Sequence, residues 1–317
     1  MSLRLCQRFA SCPKTRLLML VSPEHNNIPG SVVDFYRNTC EVVWGGLRTG
    51  GVIPVAVDNV ARYVEDMMGR DESPVPSNYV SPFREAFYDF QLEYDGLPAH
   101  GGMYVMQLDR DRPEDAASYA KLVSLLPSGN PIATPGDDTR FVALRVPFGC
   151  RPGVMGGWPH VYGCAAVVFA NDSGDRYKLF RLGPDVSDGA RNILMFIESI
   201  VVMSTSFAHC KNVKTVVGPP VSVSNDRPPK NAPPHPRITV RTLAIDPGKE
   251  QVRRDGERAA ADGRGKALHI CRGHFATYTE DRPLFGHTVG TVWRPQHARG
   301  REDRGTVAKD YRVLPPS

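Results

Sequence analysis

The sequence contains no CxxC pair, no Walker loop, no GxGxxG turn and no HExxH. Those absences remove the usual sequence signs of a zinc ribbon, an NTPase phosphate loop, a dinucleotide-binding fold and a zinc protease. Cysteine is present without a pattern: the seven residues at positions 6, 12, 40, 150, 164, 210 and 271 are odd in number and lack framework spacing. A disulfide scaffold is not expected, and a reducing compartment is. Long apolar runs are missing as well. Residues 1–23 hold four bases and no acid, faintly like a targeting segment, but the apolar run Leu17–Val21 is too short for a signal-peptide core. Nothing approaches the ~20 apolar residues of a membrane-spanning helix. The expected protein is soluble and cytoplasmic, with no membrane partner and no cofactor.

What the chain does have is an uneven charge. Residues 251–317 carry 13 Lys/Arg against 8 Asp/Glu, a surplus of +5. That equals the formal net charge of all 317 residues, so residues 1–250, with 26 of each sign, sum to zero. A neutral body with a basic end points to an anionic partner, most simply a nucleic acid; the plain alternative is a solvated positive face. Hydrophobic content of 41% with 23% charged residues fits a globular protein.

Periodicity predicts helices over Ser31–Leu47, which a Gly-rich stop ends, and over Val52–Met68, with Val55, Val60, Val64 and Met67 inward, and a short aromatic helix over Phe83–Leu92. From about Gly101 the period changes to two. Met103–Leu108, Phe141–Val146, Val161–Phe169 and Arg176–Leu182 read as strands, with a helix over Glu114–Leu126 between the first two. The turn Asn171-Asp172-Ser173-Gly174 makes the last two strands a hairpin. Ala190–Ala208 is apolar around most of its circumference, which predicts a buried central helix, with Asn212 as its C-terminal cap. Gly218–Pro236, with seven prolines in nineteen positions, reads as a loop or linker. Ile238–Ile245 is a predicted strand and Pro247–Gly265 a mobile insertion. Lys266–Tyr278 then pairs with Gly290–Arg299 in a terminal hairpin, and Tyr311–Leu314 offers one more strand. The fold class is α+β: a helical N-terminal region (1–100), an α+β core of mixed or antiparallel sheet around the buried helix (101–217), a Pro-rich linker (218–237), and a basic C-terminal β domain (238–317) with its insertion at 247–265.

Four of the nine histidines fall within His269–His297. Strand alternation puts His269 and Cys271 on one face and Arg272, His274 and Tyr278 on the other, so His269 and His274 do not share a ligand sphere and no metal site is expected. For nucleic-acid binding, Arg272, Arg294, Arg299, Arg301 and Arg304 can neutralise phosphates, with His274 and His297 beside them. Phe275, Tyr278 and Trp293 offer flat faces for bases. Phe275 and Trp293 are also what a two-stranded ribbon must bury to be stable. A catalytic alternative uses His274 with Arg272 and Tyr278 to abstract a 2′-hydroxyl proton, as a metal-independent ribonuclease or toxin would. A third reading is a non-catalytic structural or partner-binding protein with an incidental basic tail.

Two stretches carry a resemblance. Ala208–Val213 (AHCKNV), at the end of the long apolar helix, and the pattern HICRGH–F–Y–PLFG–GTVW–H–RG over His269–Gly300 are similar to a family of proteins from bacterial viruses and mobile elements. One branch of that family includes an anti-CRISPR protein directed against the type V-A effector nuclease. The resemblance spans Asn192–Gly300, about a third of the chain. It implies a phage-encoded, anti-defence protein of the host bacterial cytoplasm that recognises a nascent effector on the translating ribosome and triggers loss of its message. The implied partners are RNA or a ribosome–nascent chain complex, and through it a CRISPR effector. Arg272, Gly273, His274, Phe275, Trp293, His297 and Arg299 match the family's recurrent C-terminal positions, to which no catalytic role belongs.

Overall fold

The computed structural model describes residues 4–12, 30–68, 78–94, 97–124, 138–150, 160–161, 165–174, 177–182, 188–223, 235–245, 267–271, 274–284, 287–294, 297–299 and 301–307. Helices α1 (Leu5–Ser11) and α2 (Gly30–Thr49) precede β1 (Ile53–Ala56), α3 (Asp58–Met68), β2 (Glu85–Tyr94) and β3 (Leu97–Asp109). A 3₁₀ turn (Pro113–Asp115) and α4 (Ala116–Ser124) follow, then β4 (Thr139–Cys150), β5 (His160–Val161), β6 (Ala165–Asn171), β7 (Tyr177–Leu182) and α5 (Asp188–Ala208). β8 (Val213–Ser222) and β9 (Arg237–Ile245) complete a mixed sheet in the order β7-β6-β4-β3-β2-β1-β9-β8, with β5 beside β4. β1 runs parallel to β2 and β9, and the remaining neighbours are antiparallel. The protein is a mixed α+β fold.

Helices cover both faces of this sheet. On one, Phe9 of α1, Tyr36, Val43 and Leu47 of α2 and Leu122 of α4 meet Phe87, Tyr104, Val142 and Phe148. On the other, Val60 and Val64 of α3 and Ile197, Ile200 and Phe207 of α5 meet Tyr88, Met103, Val105 and Leu243. The expected burial of α5 holds, as does the β6–β7 hairpin around Asn171–Gly174. α2 runs on through Gly45 and Gly46 and stops only at Gly50, whose φ of 83° is the left-handed conformation that ends helices. Gly46 is required by contact: a Cβ there would lie 2.3 Å from Val52 Cγ2.

Several expectations are corrected. Val52–Met68 is not one helix, because Ile53–Ala56 is the parallel strand β1 and the helix starts only at Asp58. Phe83–Leu92 is not helical; Glu85–Tyr94 is β2. Both segments are central strands buried on two faces, so apolar residues fill both sets of alternating positions and the period of two is lost. Val161–Phe169 divides into β5 and β6, which pair with successive parts of β4. Gly218–Ser222, expected as loop, belongs to β8 and carries Pro219 and Pro220. Those prolines fit because β8 ends the sheet order and pairs only with β9, with a register shift between Val217 and Pro220. Strands from the expected N-terminal region (β1, β2), core (β4, β6) and C-terminal domain (β9) share this one sheet. The helical region 1–100 is therefore largely sheet from residue 53 onward. Pro247–Gly265 and Tyr311–Leu314 lie outside the described residues.

A buried carboxyl sits beneath α1. Asp89 of β2 is fully buried and its Oδ2 accepts the Cys6 N–H at 2.8 Å, which anchors the start of α1. Arg4 binds Asp58 through both terminal nitrogens (3.3 and 2.5 Å) and approaches Asp89 at 4.0 Å. Burial pushes the Asp89 carboxyl up to about 6, against the lowering effects of the Cys6 hydrogen bond and Arg4. A carboxyl raised in the folded state above its unfolded ~3.9 binds its proton more tightly folded, so its contribution to stability is present at low pH and lost as pH rises through about 6. Asp89→Asn keeps an acceptor for Cys6. Its stability relative to wild type should rise by up to about 3 kcal/mol between pH 4 and 6, read by urea unfolding across that range. A flat difference would show a carboxylate that stays ionised throughout.

Candidate functional site

The C-terminal hairpin forms in the expected register. β10 (Ala267–Cys271) pairs with β13 (His297–Arg299), and β11 (His274–Tyr278) with β12 (Gly290–Arg294), so the two halves together span the predicted pairing. β14 (Arg301–Val307) adds to β10 in parallel. Opposite neighbours include His274↔Arg294, Phe275↔Trp293 and Tyr278↔Gly290. Alternation therefore gives the β11–β12 ribbon one face of Phe275, Thr277, Thr291 and Trp293, and another of His274, Tyr278 and Arg294.

The first face is inward. Trp293 is 4% exposed, and its ring lies edge-on to Phe207 (4.7 Å), Phe275 (4.8 Å) and Tyr63 (5.3 Å). This corrects the reading of Phe275 and Trp293 as open platforms for bases: the ribbon's apolar face docks on α3 and α5, and the ring faces are used in that packing. The ribbon is also fastened through its backbone. Asn212 donates its side-chain amide to the Trp293 carbonyl (2.6 Å) and accepts the Trp293 N–H (2.9 Å), while the Lys211 N–H donates to the Thr291 carbonyl (2.9 Å). Asn212 thus clasps the hairpin rather than capping α5, whose end is secured by His209 donating Nε2–H to the Val80 carbonyl (2.7 Å). Cys210 is buried with its thiol pushed up to about 12 by desolvation, which rules it out as a reactive nucleophile. The two stretches behind the family resemblance, AHCKNV and GTVW, are hydrogen-bonded to each other.

The second face is outward. His274 is exposed, and Tyr278 and Arg294 are half-buried. Arg294 donates to the Tyr278 hydroxyl and lies 5.6 Å over its ring. That contact draws the guanidinium along the ribbon, away from its register partner His274. Four residues of extended chain separate His274 from Tyr278, about 13 Å, so these two groups do not converge on one reacting atom. His297 and Arg299 occupy β13, opposite Cys271 and His269; Arg301 and Arg304 occupy β14. Arg272 and Gly273 lie outside the described residues. Among the described residues no group of three or more His, Cys, Asp or Glu side chains could hold a metal ion, and no helix is long and apolar enough to cross a membrane.

Sequence reasoning missed three features near this surface: the Asn212 clasp, the packing of Tyr63 against Trp293, and the recess that Asn59 helps line. Each depends on partners far apart in the chain, 81 residues for Asn212 and Trp293. The only local signal was an asparagine just after a helix, which reads equally well as a cap. No protein-family model, curated protein or solved structure matches the chain.

Proposed function

We propose that the protein binds RNA through the outward face of its C-terminal hairpin and acts as a phage-encoded anti-defence factor that lowers expression of a host effector. The observation that carries the binding half is the division of labour in the ribbon. Its aromatic face and backbone are committed to the body, whereas His274, Tyr278 and Arg294 are turned outward within the segment that holds the whole net charge. The anti-defence half, with a translating ribosome or CRISPR effector as the eventual partner, rests on the sequence resemblance and on the contact between its two motifs.

The reading predicts strongly salt-dependent RNA affinity. About four phosphate contacts on single-stranded RNA give a slope of roughly −3 in log K against log salt, and Arg294→Ala should reduce it by about 0.7. Fluorescence anisotropy over a salt series measures both. Point substitution is the better probe than truncation after residue 265, which would also remove Trp293 from the core. Salt-insensitive binding, or a slope that Arg294→Ala leaves unchanged, would remove the hairpin from the interface. The wild-type protein should leave the RNA intact. Metal-independent cleavage abolished by His274→Ala would instead establish the ribonuclease reading.

A further inference from the structure

A recess of about 100 Å³ lies where five elements meet, lined by Asn59 and Tyr63 of α3, Phe207 of α5, Val213 of β8, Leu243 of β9 and Trp293 of β12. It is far smaller than the about 300–1,000 Å³ of pockets that enclose whole small ligands, so it suits one small group. Three of its walls are aromatic rings set edge-to-face, with interplanar angles of 70–81°. Asn59 is the polar side chain in the lining. Its amide nitrogen donates to the Leu243 carbonyl at 3.2 Å, which orients Oδ1 as the atom that meets a donor. Lys211 and Lys214, either side of Val213 in sequence, are exposed.

We propose that this recess holds one unpaired pyrimidine base of a bound RNA strand. The base packs against the Trp293 and Tyr63 rings while Asn59 Oδ1 accepts from its exocyclic amine or imino N–H. The proposal rests on the RNA reading above and deepens it, giving that surface a base preference. Size favours a single ring over a purine. The oriented carbonyl favours a base over an aliphatic side chain, which would desolvate Oδ1 without offering a donor. Flanking phosphates fall to Lys211 and Lys214. Base–aromatic contacts of this kind are worth about 1–3 kcal/mol.

The test is binding of short fluorescent oligo(C), oligo(U) and oligo(A) to the full chain at one salt concentration, with wild type, Val213→Phe, which fills the recess, and Asn59→Ala, which empties its acceptor. Wild type should prefer the pyrimidine strands by about tenfold, and either substitution should abolish that preference. Circular dichroism confirms folding, and Asn59→Ala keeps the test informative if Val213→Phe unfolds. RNA bound without a pyrimidine preference, or with one that survives both substitutions, overturns this inference and leaves the hairpin reading standing. No binding of any strand overturns both. Competition by N-acetyl-leucinamide but not by cytidine monophosphate would assign the recess to an apolar side chain and overturn the proposal.

Discussion

Trp293→Ala will destabilise the protein by about 3–5 kcal/mol, the usual cost of removing a large buried aromatic side chain. The ring is shared by the hairpin, α3 and α5, touching Phe275, Tyr63 and Phe207. Its loss removes most of the apolar contact that seats β11 and β12, and leaves the two Asn212 hydrogen bonds to hold the ribbon. Those bonds contribute about 1 kcal/mol each, too little to replace it. Urea unfolding measures the stability loss, and protease sensitivity of residues 267–299 measures undocking. Trp293→Phe retains part of the packing and should cost roughly half as much. A loss below about 1 kcal/mol for Trp293→Ala would mean that the hairpin contributes nothing to the core and is free of the body.

The outcome at Trp293 bears on what could be read from the chain. Alternation along His274–Tyr278 was enough to put His274 and Tyr278 on one face, because an exposed two-stranded ribbon has one wet side and one dry side and keeps its period of two. β6 and β7 were recognisable for a related reason: the turn at Asn171–Gly174 bounds them with residues that cannot continue a strand. β2 was not. In Glu85–Tyr94, Tyr88 and Phe90 face α3 and α5 while Phe87 faces α1, so burial on both sides erased the pattern. The one hint was Asp89, an acid inside an aromatic run, whose role appears only when Cys6, 83 residues away, donates to it. The outward residues of the candidate site were thus legible locally. The groups that fix and shape it, Asn212, Asn59 and Tyr63, were not, because their roles come from long-range pairing.

The buried ion pair between α5 and β4 gives the second large effect. Arg145 and Glu198 expose only 1% and 8% of their side chains, and Arg145 also donates to the Tyr79 carbonyl at 3.1 Å. Glu198→Ala should cost about 3–5 kcal/mol, since it strands a guanidinium where water cannot reach it. The loss would measure that stranded charge, not the worth of the pair. Arg145→Met combined with Glu198→Leu is the discriminating variant. It replaces both charges by apolar groups of similar length, and for buried pairs such a swap is often neutral or stabilising. The expected series in urea unfolding is a severe loss for Glu198→Ala and a recovery of most of it in the double variant. A double variant as unstable as the single one would mean that the charges themselves set how α5 seats on the sheet. The hairpin's docking surface at Phe207 would then depend on an ionic contact two and a half turns up the same helix.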